Sequence, residues 1–151
     1  MSIVKTIDHI SIVVKELELA VRHFTQLLGG EVLFTRDIEK LGVRMAFIRL
    51  GDRLISIEQP TRPGPFADVL AKRGEGVHHI GLSVHSLGEA RERLVKLGIK
   101  GVNETADDER EELLIMPRDG LGILWQLIEW KGPCGDSFEN RLAYSRRSLY
   151  R

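Results

Sequence analysis

Apolar and polar residues alternate in "DHISIVV", where Ile10, Ile12 and Val14 fall on one side of the chain. The same alternation returns in "HHIGLSV", with Ile80, Leu82 and Val84. A period of two is the signature of a half-buried strand. In both places the period then changes to that of a helix. From about Leu17 to Leu28 the residues Leu17, Ala20, Val21, Phe24, Leu27 and Leu28 make one apolar stripe, and Gly29-Gly30 ends it. After Val84 the stripe is Leu87, Ala90, Leu94 and Leu97, Ser86 and Glu89 have capping-box spacing, and Gly98 takes the C′ place.

Three further strands follow each helix. Their spans read as Glu31–Asp37, Arg44–Leu50 and Arg53–Gln59 in the first copy, and as Lys100–Thr105, Glu112–Met116 and Gly122–Trp130 in the second. The pattern is thus strand, helix and three strands written twice, an α+β chain. Module one covers about 6–60, a linker 61–75 and module two about 76–130, all in a single domain 1–130 with a C-terminal extension 131–151. The linker "TRPGPFADVLAKRGEG" is rich in turn residues and predicts a short helix with Pro65 near its start.

Composition narrows the functional classes. A chain of 151 residues, 42% hydrophobic and 29% charged, can fill one domain. Its 22 basic and 22 acidic residues cancel, which argues against a broad footprint for nucleic acid or an anionic membrane. The single cysteine, Cys134, excludes an internal disulfide and a thiolate metal cluster. The first residues, "MSIVKTIDHISIVV", are interrupted by charge where a signal peptide needs an apolar run, and no stretch is long enough to span a bilayer. The expected location is cytoplasmic.

The sharpest signal is positional. His9 and His79 are equivalent in the repeat, and the same distance further on stand Ser56 and Gln126, each in the last strand of its copy. Alternation sends His79 to the concave side and His78 to the other face, puts Ser56 and Glu58 on one face, and groups Leu124, Gln126 and Ile128 apart from Glu129. Two readings of the histidines stand side by side: two ligands of one divalent metal, or satisfied core and strand-edge histidines. Arg44 points into the concave side towards an anionic substrate, or pairs with nearby acids. Arg118 in "PRDG" contacts a phosphate or carboxylate, or is a solvated turn residue. Trp125 has core parity, and "ADDEREE" reads as a solvated loop. The basic tail, with Arg141, Arg146, Arg147 and Arg151, reads as an amphipathic helix in "FENRLAYSRRSLY" through Phe138, Leu142 and Tyr144 or Ser145, covering a second subunit or closing over the concave face, or else as a frayed terminus.

These residues carry a resemblance. The doubled unit with "DHISIVV" and "VHHIGLSV" opening its halves resembles the vicinal oxygen chelate superfamily, which includes glyoxalase I, extradiol dioxygenases, antibiotic-resistance proteins and methylmalonyl-CoA epimerase. Within it, "FADVLAKRGEGVHHIGLSVHSLGEARERLVKLGIK" and "PRDGLGILWQLIE" are most similar to methylmalonyl-CoA epimerase.

The resemblance implies two βαβββ modules forming an open cup-shaped sheet with helices outside, around a metal with four protein ligands. His9 and His79 match two ligand positions. Where the family has Glu or Gln this chain has Ser56, and where it has Glu this chain has Gln126. A hydroxyl is a poor ligand and an amide a very weak base, so Glu58, two residues past Ser56, becomes the candidate ligand or base. The family's loop base has no match at its place; the nearest acid is Glu39, read as a solvated loop residue.

The implied function is a metal-dependent isomerase that takes a proton α to a carbonyl of a small acyl or thioester substrate, a CoA thioester among the candidates. In that reading Glu58 and Gln126 are catalytic, Ser56, Arg44 and Arg118 bind substrate, and His9, His79, Gln126 and Glu58 hold the metal. The metal is zinc, cobalt, nickel, manganese or iron. The alternatives are a metal-free small-molecule binding protein of the same fold, and a glyoxalase- or dioxygenase-type enzyme. A homodimer is expected, with neither nucleic acid nor membrane as partner.

Overall fold

The structure is a computed structural model and describes residues 1–135 and 137–147, the side chains at 103 and 104 excepted. Its elements run β1 (Val4–Val13), α1 (Leu17–Leu28), β2 (Glu31–Ile38), β3 (Val43–Leu50), β4 (Arg53–Pro60), α2 (Pro65–Arg73), β5 (Gly76–Val84), α3 (Leu87–Lys96), β6 (Val102–Ala106), β7 (Arg110–Ile115) and β8 (Leu124–Trp130). A 3₁₀ turn at Gly132–Cys134 then leads into α4 (Phe138–Arg147). The repeat of strand, helix and three strands is present and the class is α+β. Arg151 of the expected tail lies outside the described residues.

The chain divides into two compact units. The first is His9–His78; the second takes Met1–Asp8 together with the described chain from His79 onward.

In the first unit the strand order is β2-β3-β4-β1, with β1 parallel to β4 in the register Ser11↔Ser56 and Val13↔Glu58. Helix α1 packs on one face, where Leu17 meets Val14, Ala46, Ile48 and Ile57. Each of Leu17, Ile48 and Ile57, fully buried there, contributes about 1.5–3 kcal/mol. Gly29 ends α1 in the left-handed region at φ 67°, its N–H donating to the Thr25 carbonyl at 3.0 Å and the Gly30 N–H to that of Phe24 at 3.1 Å. The expected linker is more than a tether: Pro65 is the first residue of α2, and Phe66 is buried against the ring of His78, stacked at 4.0 Å between centroids.

In the second unit the order is β5-β8-β7-β6, with β5 parallel to β8 in the register Gly81↔Gln126 and Ser83↔Ile128. Helix α3 packs through Leu87, Ala90 and Leu94 on Val84, Leu113 and Leu127. Ser86 caps it, the Glu89 N–H donating to Ser86 Oγ at 3.2 Å, while the Glu89 carboxylate accepts from Arg93 at 3.0 Å. The N-terminal segment completes this unit. Ile3 and Val4 pack on the α3 core, the His85 N–H donates to the Ile3 carbonyl at 2.9 Å, and the Trp130 indole donates to Asp8 Oδ2 at 2.8 Å.

One repeat-related device has no signature in the sequence. The Leu17 N–H opening α1 donates to Gln59 Oε1 at 2.7 Å, and the Leu87 N–H opening α3 donates to Glu129 Oε2 at 2.7 Å. Both acceptors hold an amide at a helix N-terminus that has no partner inside the helix.

The acidic run "ADDEREE" is corrected by the structure. The strand read as starting at Glu112 starts at Arg110, so Arg110 and Glu111 also belong to β7 and pair with β8, Arg110↔Trp130 and Glu111↔Glu129. Glu112 is fully buried, not solvated.

Candidate functional site

The strand alternation that gives α1 its apolar face turns a polar set to the opposite face of the first unit. His9, Ser11 and Val13 of β1, Met45 and Phe47 of β3, and Ser56 and Glu58 of β4 are all buried there. The His9 ring meets the Phe47 ring edge-on at 6.4 Å.

Glu58 is the centre of this set. The Ser56 hydroxyl donates to Oε1 at 2.6 Å and the Ser11 hydroxyl to Oε2 at 2.7 Å, lengths typical of charge-assisted bonds. Burial pushes the Glu58 carboxyl from 4.5 up to about 7, against the lowering pull of the Ser56 and Ser11 hydroxyls and of His9. A carboxylate that exchanges its proton near neutrality, with both oxygens oriented, is the chemistry of a general base. Ser11 was not singled out from sequence; its place on β1 two residues from His9, hence on the same face, was the available signal. The positions equivalent to Ser11, Ser56 and Glu58 in the second copy are Gly81, Gln126 and Ile128. The buried carboxylate with its two hydroxyl donors is therefore a feature of the first copy alone.

In the second unit the face opposite α3 carries His79, Ser83, Gln126, Ile128 and Trp130, with Glu112 and Arg110 from β7. His79 and Gln126 are both buried. Glu112 and Arg110 form a buried ion pair, and the Arg110 guanidinium lies over the Trp130 ring at 5.1 Å. His78, next to His79, turns to the other face and stacks on Phe66, as alternation requires. Burial, followed by the Arg73 charge, pushes His78 down to about 4, so it is neutral at physiological pH. Cys134 is buried near Glu109, and burial followed by that carboxylate raises its thiol, the opposite of an activated nucleophile.

The expected substrate-binding residues fare unequally. Ser56 lies on the site face, bonded to Glu58. Arg44 does not point to that face: it shares the α1 side of β3 with Ala46 and Ile48, is half exposed, and pairs with Glu18 at 3.0 Å and Asp37 at 3.9 Å. The reason is one of parity, since Arg44 is one residue from Met45 on an alternating strand. Arg118 is exposed in the turn that leads to β8, where the Gly122 N–H donates to the Pro117 carbonyl at 2.8 Å. Glu39 is exposed in the β2–β3 turn, as read from sequence.

As metal donors, the imidazoles of His9 and His79 and the amide oxygen of Gln126 have suitable chemistry; the Ser56 hydroxyl does not. Glu58 has a hydroxyl donor on each oxygen. Among the described residues, no group of three or more His, Cys, Asp and Glu side chains is arranged to hold an ion.

Comparison with known proteins agrees with this architecture. The model of the glyoxalase/bleomycin resistance protein/dioxygenase superfamily matches residues 8–113. An ethylmalonyl-CoA/methylmalonyl-CoA epimerase of Cereibacter sphaeroides is 32% identical over 127 residues, covering 80% of this chain and 95% of that protein. The crystal structure of methylmalonyl-CoA epimerase from Mycobacterium tuberculosis superposes with a TM-score of 0.76 at 25% identity, over 87% of this chain and 91% of that one. A variant of the Streptomyces coelicolor methylmalonyl-CoA epimerase in complex with 2-nitronate-propionyl-CoA gives 0.74 at 26% identity, over 85% and 99%. With the repeat, the two site faces and a family match over most of its length, the chain belongs to the glyoxalase/bleomycin resistance protein/dioxygenase superfamily.

Proposed function

We propose that this protein is an isomerase of the methylmalonyl-CoA epimerase type, moving the proton α to the carbonyl of a malonyl-type CoA thioester. The observation that carries this reading is Glu58: a buried carboxylate held by two hydroxyls, with its proton affinity raised to the neutral range. The epimerases among the similar proteins supply the substrate class.

In the forward step the α C–H bond breaks, its proton goes to a Glu58 oxygen, and its electron pair moves into the thioester to give an enolate. Return of a proton from a solvent water to the opposite face of that carbon gives the epimer, and the hydroxide so formed takes the proton from Glu58 and restores the carboxylate. The Ser11 and Ser56 hydroxyls hold the carboxylate and compensate part of its charge before the proton arrives. As the proton transfers, their bonds weaken least at the oxygen that stays unprotonated, so the acid form remains oriented. Gln126 does not titrate, so its share is to orient or polarise an oxygen of the substrate. A divalent cation, which in this reading His9 and His79 hold with the Gln126 oxygen, would supply Lewis-acid stabilisation of the enolate. The same reading takes the protein as a homodimer, β2 ending the strand order of the first unit and β6 that of the second.

The test is isotope exchange. Methylmalonyl-CoA and ethylmalonyl-CoA are incubated with the protein in D₂O, with and without added divalent metal, and loss of the α-proton signal is followed by NMR. Exchange that falls at least about 100-fold in Glu58→Gln is the expected result. No exchange above the uncatalysed rate with either thioester overturns the isomerase reading and leaves a ligand-binding protein of the same family.

A further inference from the structure

Helix α3 does not close against its sheet along its whole length. At its C-terminal end a cavity of about 420 Å³ lies between α3, the segment Gly98–Gly101 and β7, within the range of about 300–1,000 Å³ typical of small-molecule sites. Its floor is the buried Leu94 and Leu113, with Ile99 beside them. It opens to solvent past Val95, Gly98 and Lys100, all exposed.

The repeat shows why the gap is there. The Ile99 N–H donates to the Leu94 carbonyl at 2.9 Å as the Gly30 N–H does to that of Phe24 at 3.1 Å, so Leu94 and Phe24 hold equivalent places. In the first unit that place is taken by the larger side chain, packed against the α1 core. In the second, Leu94 leaves room, and the segment that follows has glycine at 98 and 101. Gly98 is left-handed at φ 68°, and a Cβ at Gly101 would stand 2.7 Å from Leu113 Cδ1 and 3.2 Å from Leu94 Cδ1. Neither position takes a side chain without strain, so the gap persists.

The lining also has a sign. Its charged members among the described residues, Arg91 and Lys100, are both basic. Arg91 pairs with Glu111 Oε1 at 2.5 Å, and Lys131 holds the other oxygen at 2.9 Å. Two cations share that one carboxylate, so with Lys100 the rim has a net positive charge. An apolar floor under a basic rim is complementary to a molecule that is aliphatic at one end and anionic at the other. The guanidinium fork matches the planar oxygens of a carboxylate, the group that Arg91 already holds in Glu111.

We propose that this cavity is a binding site for a short aliphatic carboxylate, its chain on Leu94, Ile99 and Leu113 and its head group between Arg91 and Lys100. Burying the chain offsets the cost of an apolar gap left open, so the ligand stabilises the second unit. The site lies on the α3 side of the sheet, opposite the face of His79 and Gln126, and does not depend on the proposed isomerase activity.

The experiment is titration of the ¹⁵N-labelled full chain with acetate, butyrate and hexanoate, and with hexylamine as the cationic control, following amide shifts by NMR. Saturable shifts at Gly98, Ile99 and Gly101, with affinity rising about threefold or more per added methylene, are expected for the carboxylates. Leu94→Phe, which copies the first unit and fills the cavity, should weaken hexanoate by at least about tenfold, the loss of a few buried methylenes. Lys100→Glu, a change at an exposed position, should weaken hexanoate several-fold and favour hexylamine. Near-ultraviolet circular dichroism checks that Leu94→Phe is folded; if it is not, Lys100→Glu and the chain-length series decide. Shifts absent from these amides, affinity independent of chain length, or hexylamine bound by the parent as tightly as hexanoate overturns the site. So does an unchanged affinity for hexanoate in a folded Leu94→Phe or in Lys100→Glu.

Discussion

Replacing Glu58 by glutamine tests the electrostatics of the site through stability, independently of any substrate. The side chain is buried, and the amide keeps its shape and one acceptor for the Ser11 and Ser56 hydroxyls. The native carboxyl binds its proton up to about pH 7, whereas the unfolded one releases it near 4.5. Between these values the native state holds more protons than the unfolded state, so stability due to this group is fully present below 4.5 and falls as pH rises towards 7. At about 1.4 kcal/mol per pH unit the interval removes about 3 kcal/mol.

The variant should therefore match the parent near pH 4.5 and exceed it by about 3 kcal/mol at pH 8, a rise in Tm of about 6–12 °C for a chain of this size. Urea denaturation of chelator-treated parent and variant across pH 4.5 to 8 reads the difference directly. His78 acts in both proteins and cancels in the comparison. A difference that stays constant with pH, or that favours the parent at pH 8, would refute the account of Glu58 as a buried base whose charge is costly to form.

Further outcomes follow from the same geometry. His78 is depressed to about 4 against 6.5 in the unfolded chain, so its contribution is intact above 6.5 and is lost as pH falls to 4; His78→Leu should flatten that acid limb by about 3 kcal/mol in urea titrations, and a limb as steep as the parent's would refute it. Elemental analysis of untagged protein purified without chelator should find about one divalent ion per chain, lost in His9→Ala and in His79→Ala; retention of full metal content in both would remove the histidines from the ligand set. Arg44→Ala should leave KM for the thioester unchanged and alter stability by no more than about 1 kcal/mol, because its ion pairs are half exposed. A several-fold rise in KM would place Arg44 on the substrate after all.

Local pattern determined the elements and the repeat. Alternation and three-to-four spacing locate α1 at Leu17–Leu28 and the polar face opposite it, because a buried face imposes its period on the residues that fill it. The equivalence of His9 with His79, and of Ser56 with Gln126, was legible for the same reason: a duplicated fold keeps its register. Parity likewise separated His78 from His79 and brought Glu58 onto the face of Ser56.

What sequence left open depends on partners distant along the chain. Arg44 was open between the concave side and an ion pair, and only the packing of α1 and the pairing with β2 bring Glu18 and Asp37 within its reach. Glu112 looked solvated within "ADDEREE" because nothing local announces that β8 pairs with it and that α4 packs at the same end of the unit. Ser11 was unremarkable until β1 was laid parallel to β4, where its hydroxyl meets the Glu58 carboxylate. A side chain's face is a local property, but its burial and its proton affinity are set by what the rest of the chain places against it. The amino-acid sequence by itself thus determined the doubled module and the histidine pair, and the tertiary structure decided which carboxylate is buried with a raised proton affinity.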